Sequence, residues 1–119
     1  MKLDHTEVVL DFEGEPLKDN STDTERDMTF RGLVMLALNN MERDERMGSE
    51  DKARCYHLCH KFFKGKTIKL TVDEAAFVKQ RGGVILSALA FGRLSEWLEG
   101  NPQIVASESD EETDEESVD

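Results

Sequence analysis

The sequence predicts an α+β domain: a small antiparallel sheet packed with about four helices, followed by a charged C-terminal extension. Three observations predict it. Apolar residues recur at helical spacing in four stretches, and they alternate with polar residues in two short ones. The last thirteen residues, "SESDEETDEESVD", carry eight acids, no base and one apolar side chain. The 119 residues suit one domain with its own core. Of the formal charge of −11, only −3 belongs to the chain before that end, so the folded part is mildly acidic. Residues 1–103 are read as a single α+β domain and 104–119 as a disordered acidic tail. The tail has too few apolar groups to offset the entropy that ordering would cost.

The elements follow in order. "TEVVLDFEGEPL" has the alternation of a hairpin, with Val8, Leu10 and Phe12 against Val9, Asp11 and Glu13, and "EGEP" supplies turn residues. Residues 18–27, "KDNSTDTERD", are polar and aperiodic, hence a loop. "TFRGLVMLALNNM" is the first helix, with Thr29 as N-cap and Phe30, Leu33, Val34, Ala37, Leu38 and Met41 on its inner face. "SEDKARCYHLCHKFFKG" is the second. Ser49 caps it, Glu50 and Asp51 suit its positive end, Lys61 and Lys64 its negative end, and Gly65 closes it. "KTIKLT" alternates as a strand near 66–71 and is expected to pair with the N-terminal hairpin. Thr71 and Glu74 form a capping box for a third helix, which Gly82 and Gly83 are expected to break or bend. A fourth helix, "VILSALAFGRLSEWLE", stops at Gly100 and Pro102.

"CYHLCH", residues 55–60, concentrates the chemistry-bearing side chains. Structural zinc takes four N or S ligands, usually as two separated pairs, and only one cluster is present. On a helix Cys55 and Cys59 share a face, His60 lies about 100° further round, and His57 lies on the far side. Cys55, Cys59 and His60 are therefore the candidate metal ligands, and they lack a second half-site. The favoured reading makes both cysteines small buried hydrophobes, with no metal and no other cofactor. The C-x-x-x-C spacing differs from the C-x-x-C of thioredoxin-like sites, and a disulfide within one helix is strained. The chain carries no G-x-S-x-G, no phosphate-binding glycine motif and no nucleophile beside a base, so it is not expected to be an enzyme. No signal peptide and no membrane-spanning run are read from it, which makes the cytoplasm the expected location and a membrane partner unexpected.

Two charged features remain. Residues 52–69 hold Lys52, Arg54, Lys61, Lys64, Lys66 and Lys69 around Phe62 and Phe63. Lys61, Lys64, Lys66 and Lys69 form the basic patch, which helix-dipole complementation and an outward strand face also explain. In the tail, Glu108, Asp110, Glu111, Glu112, Asp114, Glu115 and Glu116 either keep the chain soluble or dock on a basic protein surface.

"DMTFRGLVMLALNN" and "IKLTVDEAAFVKQRGGVILSALAFGRLSEWLE" together resemble small proteins of tailed bacteriophages. Those proteins carry a hairpin ending G-x-P-x-K, a helix of the form T-x-x-x-L-V-x-x-A-L, and L-T-x-E-E opening a final helical pair that ends in a glycine and L-E. "GEPLK" and "LTVDE" follow that pattern, and the likeness spans most of residues 8–99; the cysteines, histidines and acidic tail fall outside it. The resemblance implies a phage-encoded protein acting in the host cytoplasm and supplies no catalytic residues. The expected function is a non-enzymatic protein-binding factor, an assembly accessory or a modulator or inhibitor of a host protein. The alternative is a nucleic-acid- or metal-binding regulator using segment 52–69. A homo-oligomer built through Phe62, Phe63 and Trp97 is a third reading, conditional on those rings being exposed.

Overall fold

Polar side chains set the starts of three helices. The Thr29 hydroxyl accepts the Gly32 N–H at 3.2 Å and begins α1 (Phe30–Asn39). Thr71 accepts the Glu74 N–H while Glu74 accepts the Thr71 N–H, a full capping box that begins α3 (Val72–Ile85). Ser87 accepts the Ala90 N–H and begins α4 (Ala88–Leu98). The computed structural model describes residues 2–19, 26–43 and 45–105, so the acidic positions Glu108 to Glu116 lie outside the described residues. Between α1 and α3 lies α2 (Ser49–Lys61); the strands are β1 (Lys2–Asp4), β2 (Lys18–Asp19), β3 (Arg26–Asp27) and β4 (Thr67–Lys69).

The α+β class holds: the described residues form four helices and two antiparallel two-stranded sheets. The strand expected near 66–71 is β4, and its partner is β1, with Lys2 opposite Lys69, Leu3 opposite Ile68 and Asp4 opposite Thr67. Leu3 and Ile68 point inward together, which fixes this register because a one-residue slip would expose both. The expected hairpin turn forms further along, at Asp11–Glu15. The Asp11 carboxylate accepts the Glu13 and Glu15 N–H groups, and Gly14 takes the φ of +90° that the turn requires. Its arms, however, bond to each other and to Met28: Val9 N–H to Met28 C=O at 2.8 Å, Met28 N–H to Leu17 C=O at 2.7 Å. Val9 is the fully buried member of the alternation, and Phe12 lies outside.

Five local expectations are corrected. Residues 18–27, read as a loop, carry paired strands at their two ends, β2 and β3. The first helix stops at Asn39, so Met41 lies beyond it and is exposed, not on its inner face. Gly48, not Ser49, occupies the N-cap of α2, and no side chain caps it. The second helix ends at Lys61, with the Phe62 N–H satisfied by the Leu58 and Cys59 carbonyls. Gly82 and Gly83 do not break α3, which runs on to Ile85; the bend falls at extended Leu86. Gly82 instead lets α3 and α4 approach, since a Cβ there would lie 2.7 Å from Leu94 Cδ2. The helical propensity lost at glycine is about 1 kcal/mol, less than a steric clash in a full core would cost.

The core sits where all four helices and β1 meet. Phe30 stacks in parallel on Trp97 with centroids 5.1 Å apart, Phe62 packs between Trp97 and His5, and Leu33, Val34, Val78 and Leu94 close the interior. Phe62 and Trp97 are thus buried and cannot carry an oligomer surface; only Phe63 of that trio is exposed. Two buried arginines tie loops to helices. Arg81 of α3 binds the Asn40 carbonyl and the Glu45 carboxylate in the α1–α2 connection. Arg93 of α4 binds the carbonyls of Leu10 and Asp11 at 2.8 and 2.7 Å and the Glu96 carboxylate at 3.0 Å. Among the described residues, no helix is long and apolar enough to cross a membrane.

Candidate functional site

The six residues 55–60 divide by helical phase. Cys55 and Leu58 turn into the core, Cys59 is half-buried against α1, and Tyr56, His57 and His60 face outward. Cys59 Sγ accepts from Asn39 Nδ2 at 3.6 Å. Burial pushes the Cys55 thiol up, and does the same to Cys59 against the opposing pull of the Asn39 hydrogen bond. Both sulfurs therefore stay protonated at neutral pH, which makes them weak nucleophiles. Cys55 is buried and His60 exposed on a different face, so the three candidate ligands are not brought together. Among the described residues, no group of three or more His, Cys, Asp or Glu side chains could hold a metal ion. Tyr56 stands between the two imidazoles, with centroids 5.6 Å from His57 and 4.7 Å from His60.

The basic patch is only partly gathered. Lys61 is committed to Glu74 at 2.7 Å. Burial alone would raise the Glu74 carboxyl, but the Lys61 ammonium and the Thr71 N–H outweigh it and hold it below its ordinary value. Lys64, Lys66 and Lys69 are exposed, and the β1–β4 register sets Lys2 directly across from Lys69.

The side chains that do converge lie along the α1–α2 seam. Tyr56 and Phe63 are each 60% exposed, and Met35, Leu36, Met41 and Cys59 surround them with partly exposed apolar surface. The Arg31 guanidinium lies 4.6 Å over the Phe63 ring. Arg31 is held there from beneath: its Nε donates to His5 Nδ1 at 3.2 Å, and its Nη2 to the Gly65 carbonyl at 3.2 Å. His5 is fully buried, and burial and then Arg31 hold its pKa below the ordinary value. It is therefore a neutral imidazole whose Nδ1 can accept. Three adjoining depressions follow the seam, with volumes of about 210, 360 and 470 Å³. Asn39 lines all three; Tyr56 joins the first to the second and Phe63 the second to the third.

A separate apolar depression of about 320 Å³ lies over α4, lined by Phe12, Leu89 and Ile104. Its polar members are occupied, Arg93 being bound to Glu96 and to the 10–11 carbonyls. Gln103 seals one side through bonds with Leu10, Val8 and Glu7.

The sequence reading did not mark Arg31, Asn39, Tyr56 or the methionines as a site. The available signal was phase: Tyr56 and His60 lie on the same side of α2, away from the Cys55–Leu58 stripe, where a large aromatic ring has no core to enter. Comparison with family models, with curated proteins and with solved structures finds no match.

Proposed function

We propose that this chain is a non-enzymatic protein-binding factor and that the α1–α2 seam is its contact surface. The observation that carries the reading is the pair of exposed rings, Tyr56 beside Met41 and Phe63 beside Met35 and under Arg31. Exposed contiguous apolar surface marks interaction sites, and aromatic, methionine and arginine side chains are enriched in interface centres. Two large rings left in water contribute little to folding, so their position needs another account. The resemblance to small tailed-phage proteins supports a phage-encoded factor that accompanies assembly or modulates a host protein. The acidic residues 108–116 then act as an accessory contact that speeds encounter with a basic partner.

The test is retention of a partner from bacterial lysates, uninfected and phage-infected, on immobilised chain. Three baits are compared: the full chain, the chain lacking residues 104–119, and the Tyr56→Ala/Phe63→Ala variant. A stoichiometric partner retained by the first and lost by the third supports the reading. A partner retained equally by the double variant places the surface elsewhere, and no stoichiometric partner from either lysate defeats it. The nucleic-acid alternative rests on exposed Lys2, Lys64, Lys66 and Lys69; salt-dependent retention of DNA or RNA by the tail-deleted chain would favour it.

A further inference from the structure

We infer that the partner presents to the α1–α2 seam one amphipathic helix of about three turns, with an apolar stripe and carboxylates at both ends. This rests on the reading of the seam as the contact surface and names the shape and charge of its occupant.

The length comes from the seam itself. Lys52 lines the first depression and Phe63 the third, and the eleven residues of rise along α2 and the turn after it span about 17 Å, the length of three helical turns. A helix laid along it would set apolar side chains one turn apart, one for each depression. The choice of a helix follows from hydrogen bonding. An extended strand would need an unpaired sheet edge. The first two depressions are lined by α1, α2 and the segments that join and follow them, the helix backbones being already bonded internally; only the third is also bordered by β2 and β3. A polyproline segment would bring carbonyls that need donors. The side-chain donor common to all three depressions, Asn39 Nδ2, already serves the Met35 carbonyl at 3.0 Å and the Cys59 sulfur. A helix satisfies its own backbone and asks only for apolar contact. Met35, Met41 and Met47 line the depressions, and unbranched thioethers adapt to the knobs of a docked helix.

Charge sets the ends. Lys52 stands at one end of the seam and Arg31 at the other, and neither is ion-paired among the described residues. Arg26 and Lys18 nearby are already paired with Asp19 and Asp27. Among the described residues neither charge is met by a carboxylate, although Arg31 is hydrogen-bonded to His5 and to the Gly65 carbonyl, so both favour carboxylates at the termini of the incoming helix.

The test is a selection of random peptides of about 16 residues, long enough for the three turns plus flanks, displayed against the full chain. Counter-selection uses the Tyr56→Ala/Phe63→Ala variant, after its melting temperature is shown to match the parent. The expected winners carry apolar residues at i, i+3 or i+4, and i+7, with Asp or Glu near the ends. They gain far-UV helical signal on binding, and weaken as salt rises. The double variant should lose about tenfold or more in affinity, the scale of one interface hot spot. Winners that are proline-rich or alternate with period two, or no enrichment over the double variant, overturn the inference. So does light scattering that shows a second copy of the chain occupying the seam. If the lysate partner depends on Tyr56 and Phe63 while the winners lack helical spacing, the helix fails and the contact surface stands. If that partner ignores both rings, the surface fails first.

Discussion

Two helix seams in this molecule are built to opposite rules. Along α3–α4, glycine at 82 removes a side chain so that Leu94 can fill the space, and the interior closes with no room for another Cβ. Arg93, almost fully buried, has Nε, Nη1 and Nη2 each donating to a carbonyl or carboxylate. Along α1–α2 lie three depressions, two of them lined with methionine, and two rings stand in water with Lys52 at one end and Arg31 at the other. The first seam spends its apolar surface on the fold. The second keeps its apolar surface for something outside. Exposed hydrophobicity is thus informative here because the same chain shows elsewhere that it can pack helices tightly.

The contrast can be broken from either side. The largest effect belongs to the closed seam: Leu94→Ala should cost about 2–5 kcal/mol, read as a lower urea midpoint with unchanged slope. A loss under 1 kcal/mol would mean that α3–α4 is not closely packed. Next, Arg93→Ala leaves two carbonyls without their donor and should cost roughly 1–3 kcal/mol. Near-parental stability would show that water replaces the guanidinium there.

The third effect is a pH dependence under the open seam. Burial and Arg31 lower the His5 pKa in the folded chain, so the unfolded chain takes up the proton first. Stability should therefore be fully present above about 6.5, the ordinary histidine value, and fall as pH drops through it. The charged groups acting on His5 are Arg31 from α1 and Asp4 from β1; Asp4, Glu45 and Glu74, held below their ordinary values, add losses only at lower pH. Substituting His5→Gln should flatten the upper part of that profile in urea titrations; an unchanged profile would remove His5 from the account. The smallest effect sharpens the comparison most. Tyr56→Ala should change stability by no more than about 0.5 kcal/mol, as exposed positions do, and a loss near that of Leu94→Ala would make the open seam structural after all.

Much of the fold was legible because its signals are local. Thr29 as a cap and the Thr71–Glu74 box are short-range hydrogen-bond patterns, and Ile68 between Thr67 and Lys69 is a strand alternation. What was not legible depends on distant partners. Gly82 reads as a helix breaker until Leu94 is known to face it. The hairpin reads as a partner for β4 until Lys2–Asp4 takes that place and Met28 captures Val9. The candidate site was legible only in part. Cys55 follows the inward stripe, but nothing in "CYHLCH" says that Tyr56 has Met41 and Met47 of the α1–α2 connection beside it. His5, at the start of the chain, reads as peripheral and is instead buried against Phe62.

The indole of Trp97 donates to the Asp4 carbonyl at 3.1 Å, joining residues 93 positions apart. A contact so distant in the chain carries a loop-closure cost that nearer contacts do not. During synthesis β1 can pair with β4 once residue 69 has emerged, but the bond that ties it to α4 waits for Trp97. A chain ending before residue 97 would keep that strand pair and lack the indole on which Phe30 and Phe62 pack.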